Sequence, residues 1–248
     1  MPTRPVSPLA LGLSAARRNA LPAVFLAVFA VALGLSYAFV GPVGERFDAF
    51  ATWRQTLAFP LNWAFPAIST AVFGAIIPWG VQRLRRDRAA RPDTRDLLYF
   101  TGFWAFKGME IQLLYLVLDA IVGSGASLGV VLGKIALDMG LYCWLWAVPT
   151  TLVAYQFRDA GYRWSAVRNG PMRQGVWHWF RWSAVPVIVN NWCVWVPAVA
   201  VIYTMPLALQ LPIQNLVLCF WALVMAFMSD ALVNGPDSIE PAVKEESR

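Results

Sequence analysis

Five ionisable side chains lie inside long apolar stretches of this sequence, and they are the residues best placed to do chemistry. They are Lys107, Glu110, Asp119, Lys134 and Asp138. A charged group at membrane depth costs free energy, so it marks a water-filled path, a proton relay or an ion pair between helices. Lys107 and Glu110 are three residues apart, and Lys134 and Asp138 are four apart. Each pair can therefore meet on one face of a helix.

These charges predict a polar seam between two neighbouring helices. If the helices run antiparallel, Asp119 and Lys134 lie at a similar depth, and Glu110 and Asp138 lie deeper. The seam can line a water-filled path, or form a gate that responds to protons or to a ligand. It can also be a set of ion pairs that fixes packing and register. The neutrality of each pair slightly favours the structural interpretation, because an unpaired charge would favour transport.

The sequence lacks the motifs of the common enzyme classes. It contains no HExxH, no GxSxG, no phosphate-binding glycine loop and no dinucleotide fingerprint. The single histidine, His178, stands between Trp177 and Trp179, which is typical of an interfacial anchor. The three cysteines lie apart in apolar stretches without metal-ligand spacing. We therefore expect no catalytic residue, no metal site and no cofactor.

The elements that must position the five charges are membrane spans. The chain is 58% hydrophobic and 14% charged, and a helix crosses a bilayer with about 20 apolar residues. Six stretches reach that length: 21–40, 57–81, 97–122, 128–157, 183–203 and 207–228. We predict an all-α, polytopic transmembrane helical bundle of about six transmembrane helices, with a kink at Pro149 and a tight turn from Thr204 to Pro206.

The segments between and around the spans complete this organisation. Residues 1–20 form a basic flank, in which Pro2, Pro5 and Pro8 argue against an amphipathic helix. Two N-terminal transmembrane helices occupy 21–82, and four more occupy 83–229. The charged stretch 230–248 is predicted to be disordered.

The basic residues predict the orientation. Sixteen lysines and arginines fall in segments assigned to one side, and only Arg46 and Arg54 fall on the other. By the positive-inside rule, both termini face the cytoplasm-like side. The mixture of arginine and aromatic residues in 158–181 predicts a segment along the inner headgroups and argues against nucleic-acid binding. We expect a bacterial cell membrane, with the mitochondrial inner or peroxisomal membrane as alternatives; the bilayer is the expected partner, and a homo-oligomer is compatible with the sequence.

Two motifs in the second half of the chain resemble a known family. The stretch NWCVWVPAVAVIYTMPLALQLPIQNLVLCFW supplies Asn191, Trp192, Trp195, Pro197, Pro206, Asn215 and Trp221. The stretch GMEIQLLYLVLD supplies Gly108, Tyr115, Leu118 and Asp119, and Lys134 and Asp138 follow it. Over about residues 83–227 the chain is similar to the Mpv-seventeen and peroxisomal membrane protein twenty-two family of small integral membrane proteins.

The resemblance has consequences for both architecture and function. The family usually has four spans, so the first helix here is interpreted as an addition. Met109, Gln112, Leu114 and Met139 replace the proline, histidine, tryptophan and glutamine of the family motifs. The resemblance implies a poorly selective, gated channel for small solutes. The leading hypothesis is therefore a channel-like or stress-related membrane protein. A structural or assembly membrane protein without transport activity is the alternative, and an intramembrane enzyme is the third.

Overall fold

The computed structural model describes residues 7–18, 20–84 and 92–233. Within these residues the chain forms helices and no strand, so the all-α prediction is confirmed. The helices are α1 (Pro8–Arg18), α2 (Ala20–Phe39), α3 (Gly41–Gln55), α4 (Leu61–Arg83), α5 (Thr94–Val122), α6 (Leu128–Asp159), α7 (Trp164–Asn169), α8 (Val176–Ile202) and α9 (Leu207–Val233).

Several of these helices have the length and composition of membrane spans. Among the described residues α4, α6 and α8 meet both conditions, and α2 with α3 meets them as a pair that bends by 94°. α5 has 29 residues and α9 has 27. At about 1.5 Å per residue either helix is long enough to cross a hydrocarbon core of about 30 Å. The chain thus has the helices of a membrane-embedded protein.

Three helices widen into π-helical turns, and each widening precedes a proline. The π-helical segments are Val72–Ile76 in α4, Asp138–Ala147 in α6 and Phe180–Ala184 in α8. Each ends two residues before a proline: Pro78, Pro149 or Pro186. Proline donates no backbone hydrogen bond and its ring crowds the preceding turn, so the helix adapts on its N-terminal side. The predicted disturbance at Pro149 is therefore a widened segment of α6.

Five helices, α4, α5, α6, α8 and α9, form the walls of the bundle. α5 packs against α4, α6 and α9, and α8 packs against α6 and α9. α2 packs against α8 and α9, and α1 packs against α8. A Cβ atom on Gly12 would lie 2.8 Å from the Cβ atom of Val189, so glycine allows α1 to cross α8 closely.

The bundle has two distinct ends. We call one the arginine-rich end, where α4 ends at Arg83, α5 begins at Thr94 and α6 ends at Asp159. The other, the far end, contains the turn from α5 to α6 and the turn from α8 to α9. A buried apolar cluster that includes Leu118 and Ile202 fills the far end.

The structure corrects two predictions for the N-terminal third. Residues 41–55, predicted as part of a connecting segment, form α3, with Pro42 in its first turn. The basic flank, predicted to lack an amphipathic helix, contains α1. Pro8 is the first residue of α1, a position where the missing N–H group has no helical partner to lose.

Two boundaries also differ from the predictions. α8 begins at Val176 instead of residue 183, so the end of the predicted headgroup segment belongs to this helix. α9 continues to Val233, so the first residues of the predicted disordered tail are helical. Residues 234–248 lie outside the described residues.

Candidate functional site

A polar seam joins α5 and α6 along their whole length. Near the arginine-rich end the Tyr99 hydroxyl donates to the Ala154 carbonyl over 3.1 Å. At mid-depth Lys107 Nζ donates to Thr150 Oγ1 over 2.9 Å. Further contacts are a hydrogen bond from Tyr142 to Glu110 and two ion pairs, Arg158 with Asp96 at the arginine-rich end and Lys134 with Asp119 near the far end. Together they keep the two antiparallel helices in one register around the turn that connects them.

The predicted pairs within each helix have different outcomes. Lys107 and Glu110 form an ion pair of 2.8 Å. The predicted pairing of Lys134 with Asp138 is wrong, because Lys134 Nζ lies 2.8 Å from Asp119 Oδ1 on the neighbouring helix. Asp138 begins the π-helical segment of α6 and accepts a hydrogen bond of 2.5 Å from Tyr203. Among the described residues no cation pairs with Asp138.

A cavity of about 730 Å³ lies between the five wall helices. Along α5 its lining runs from Asp96 to Tyr115, which at 1.5 Å per residue is about 28 Å. Along α6 the lining runs from Asp138 to Arg158. No described residue of α1, α2 or α3 lines the cavity. The cavity thus begins at the arginine-rich end, and its length along α5 is close to the thickness of a hydrocarbon core, about 30 Å.

Hydrogen-bonded polar side chains close the deep end of this cavity. We call Tyr115, Asp138, Tyr203 and Gln214 the closed end. Tyr115 donates to Gln214 on α9, and the rings of Tyr115 and Tyr203 meet edge to face at 5.8 Å. Tyr115, Asp138 and Tyr203 are buried. A smaller cavity of about 310 Å³ lies at the far end, where Asp119 and Gln210 contribute to its lining.

The arginine-rich end of the cavity is bounded by a cluster of charged and aromatic side chains. Tyr162, which lies outside the spans, donates to Asp96, and the Arg95 guanidinium stacks over the Tyr162 ring at 4.0 Å. Burial, followed by the Asp96 hydrogen bond, raises the pKa of Tyr162 above its ordinary value. The phenol therefore stays protonated at neutral pH and continues to donate.

The glycine of the first motif lies at a helix crossing. Gly108 is buried on α5, and a Cβ atom there would lie 2.1 Å from the Pro66 carbonyl oxygen of α4. It would also lie 2.6 Å from Thr70 Oγ1. Only glycine permits this separation between the two helices without rearrangement.

The amides and tryptophans of the second motif are directed to the bundle interior. Asn215 is buried, accepts from Thr70 over 3.0 Å and donates to Ser69 over 3.1 Å, so it joins α9 to α4. Asn191 donates to Cys143 Sγ over 3.3 Å and contributes to the cavity lining. Trp192 donates to the Met139 carbonyl over 3.0 Å. Trp195 and Trp221 line the cavity.

The two prolines of this motif occupy different environments. Pro197 lies inside α8 and is half-buried. Pro206 is exposed in the turn before α9, and its carbonyl accepts from Leu209 over 2.8 Å. It therefore marks the start of α9 as the sequence predicted.

The sequence analysis missed several residues of this site. Tyr142, Tyr203 and Gln214 lie within the predicted spans, and each one forms a hydrogen bond with a predicted site residue. Arg54 lies in the predicted connection between the first two spans, yet it donates hydrogen bonds to α5 and α9. For Tyr142 a signal was available, because it lies four residues from Asp138 on the same helix. For Tyr203 and Gln214 no local pattern distinguishes them.

Comparisons with known proteins leave the family open: no family model, no curated protein and no solved structure matches this chain. The similarity to the Mpv-seventeen family is thus carried by the quoted motif residues alone.

Proposed function

We propose that this protein is an integral membrane protein that provides a gated passage for small solutes. The observation that carries the proposal is the cavity of about 730 Å³, which ends at a hydrogen-bonded closed end. The smaller cavity of about 310 Å³ lies beyond that closure. A solute entering at the arginine-rich end would have to separate only the closed end and the neighbouring packed side chains to reach the far end.

The chemistry of the closed end supports a closure that can open. Each of its hydrogen bonds joins different elements, α5 to α9 through Tyr115 and α6 to the turn before α9 through Tyr203. When these side chains separate, water can take the place of each lost hydrogen-bond partner. Apolar side chains in the same position would offer water no hydrogen bond. The Asp138 carboxylate accepts a hydrogen bond from Tyr203 and pairs with no cation among the described residues. An unpaired charge favours a role in transport over a role in packing.

The proposed topology has six spans, α2, α4, α5, α6, α8 and α9, with both termini on the cytoplasm-like side. Its support is the distribution of arginines and the lengths of α5 and α9, which exceed about 20 residues. We place the protein in a bacterial cell membrane, with a mitochondrial inner or peroxisomal membrane as alternatives. A homo-oligomer is compatible with this arrangement.

A second function, a structural or assembly protein without transport, is favoured by the polar seam. The charges within each ion pair, Lys107–Glu110 and Lys134–Asp119, neutralise each other, and the Lys134–Asp119 pair joins α6 to α5 and fixes their register. We propose no enzymatic activity, because the single histidine, His178, is exposed and does not line the cavity.

Cysteine labelling separates passage from packing. In a variant without the three native cysteines, Thr151→Cys faces the cavity, and Leu145→Cys lies on the exposed face of the same helix. We expect a membrane-impermeant, polar thiol reagent to modify residue 151 and not residue 145 in liposomes. Absence of labelling at 151 would support the structural alternative.

Flux measurements test the closure directly. We expect Tyr203→Phe, which removes the partner of Asp138, to increase glycerol entry into proteoliposomes over the wild-type protein. If wild type, Tyr203→Phe and protein-free liposomes have equal glycerol permeability, the passage hypothesis is wrong.

A further inference from the structure

Helix α3 lies at the far end of the bundle, against the side of the closed end. It follows α2 after a bend of 94° and packs against α9. Its buried and half-buried residues recur at helical spacing: Val43, Gly44, Phe47, Phe50, Ala51 and Arg54. Phe47, Phe50 and Ala51 belong to the apolar cluster that also contains Tyr115 and Tyr203. α3 is therefore part of the packing around the closed end, although it lines no part of the large cavity.

Arg54 extends from α3 to two wall helices at once. One guanidinium nitrogen donates to the Ala208 carbonyl of α9 over 2.5 Å, and another donates to the Gln112 side-chain oxygen of α5. The guanidinium also lies over the ring of Phe65 on α4, 5.1 Å from its centre. The planar, multiply donating guanidinium is suited to bridging two separate acceptors.

The contacts of Arg54 differ from those of an ordinary ion pair. Among the described residues no carboxylate lies within 4.0 Å of Arg54, so its partners are a backbone carbonyl and an amide. Hydrogen bonds from a charged donor are stronger than neutral ones. Arg54 thus holds α5 and α9 together through groups that do not neutralise its charge.

The two helices joined by Arg54 are the two joined by Tyr115 and Gln214. Gln112 precedes Tyr115 by three residues, about one helical turn, on α5. The Tyr115–Gln214 hydrogen bond can break only if α5 and α9 separate or their side chains rotate. A separation of α5 from α9 near Gln112 and Ala208 also stretches the Arg54 contacts.

We infer that Arg54 is a positioning residue that keeps the closed end shut, and that α3 controls passage by engaging or releasing α5 and α9. This inference rests on the proposed function. It assigns to the helix between the first two spans a regulatory role, in which movement of α3 away from the bundle opens the passage.

The experiment measures glycerol entry into proteoliposomes for Arg54→Gln, Arg54→Lys, Tyr115→Phe and a control, Arg46→Gln. Arg46 lies on the same helix and is exposed. We expect Arg54→Gln to increase glycerol entry about tenfold, since it removes two charge-assisted hydrogen bonds. Arg54→Lys, with one ammonium group, should restore part of the closure, and Arg46→Gln should match wild type. A fluorescent dextran trapped in the same liposomes should stay inside for every variant.

The outcomes separate the inference from the proposed function. Increased entry with Tyr115→Phe but not with Arg54→Gln would overturn the role of Arg54 and leave the passage intact. Equal permeability of all variants and protein-free liposomes would overturn both. Release of dextran would show general loss of structure and overturn the positioning role. The same conclusion would follow if Arg54→Gln and Arg54→Lys increased glycerol entry equally and lowered the melting temperature equally.

Discussion

Helix α5 meets two of its neighbours, α6 and α4, in chemically different ways. Toward α6 it presents the polar seam, with hydrogen bonds or ion pairs at Tyr99, Lys107, Glu110 and Asp119. Toward α4 it presents Gly108, and the hydrogen bonds from the α4 side chains Trp79 and Arg83 reach only the Asp93 and Pro92 carbonyls that precede α5. Directional polar contacts therefore determine one interface, and steric fit determines the other.

The difference explains why residues of both kinds occur in one short motif. Polar partners set the register between α5 and α6, because a shift by one turn would leave several groups unpaired at membrane depth. Glycine sets the distance between α5 and α4, because van der Waals packing replaces the hydrophobic effect inside a bilayer. The GMEIQLLYLVLD stretch carries residues of both kinds, Gly108 for the crossing with α4, and Glu110 and Asp119 for the contacts with α6.

The largest effect is expected from removing one partner of the polar seam. Lys134→Met leaves Asp119 without its cation, and breaking a buried ion pair costs about 3–5 kcal/mol. The side chain of Asp119 is 24% exposed, so we expect a loss near the lower limit of that range. Thermal unfolding in detergent measures it.

A double-mutant cycle identifies the true partner of Lys134. Lys134→Met combined with Asp119→Leu should cost less than the sum of the single variants, because neither charge is then left alone. Lys134→Met combined with Asp138→Asn should be additive. Coupling of Lys134 to Asp138 instead of Asp119 would contradict the ion pair between α6 and α5.

The steric interface is tested by Gly108→Ala. A methyl group 2.1 Å from the Pro66 carbonyl oxygen has to push α4 away from α5, and such overpacking costs about 1–3 kcal/mol. Gly102→Ala on the same helix is the matched control, since no atom lies within 4 Å of its added Cβ. We expect the melting temperature to fall for Gly108→Ala and to stay or rise for Gly102→Ala. Equal behaviour of the two variants would contradict the close crossing.

The sequence predicts the parts of this molecule that depend on local pattern. Charges three or four residues apart in apolar stretches predicted a polar seam, and apolar length predicted most of the helices. The partner of Lys134 was wrongly predicted, because two carboxylates are within its reach by sequence alone. Asp138 lies four residues away on the same helix, and Asp119 lies at a similar depth on the neighbouring helix. Only packing of the two helices determines which carboxylate is nearer.

Helix α3 was missed for a different reason. Its 15 residues are too few and too charged for a span, and Gly41 and Pro42 at its start are residue types common in turns. Gly44, Phe47, Ala51 and Arg54 nevertheless recur at the spacing of one helical face. The closed end could not be predicted at all, since Tyr115 and Gln214 are 99 residues apart and only the assembled bundle brings them together.

The smallest effect is expected at the interface between α4 and α9. This interface combines polar contacts with steric fit, whereas α5 uses polar contacts toward α6 and steric fit toward α4. Asn215 is buried there and exchanges hydrogen bonds with Ser69 and Thr70. Asn215→Leu makes the segment more apolar, yet it leaves both hydroxyls without their amide partner. Such interhelical bonds contribute about 0.6 kcal/mol on average and up to about 1.7 kcal/mol, so we expect a small decrease in melting temperature in detergent. Asn62→Leu, at an exposed position in the first turn of α4, is the control and should leave the melting temperature unchanged. An unchanged or raised melting temperature for Asn215→Leu would show that steric fit alone holds α9 to α4. The α4–α9 interface would then resemble the α4–α5 crossing at Gly108 and not the polar seam.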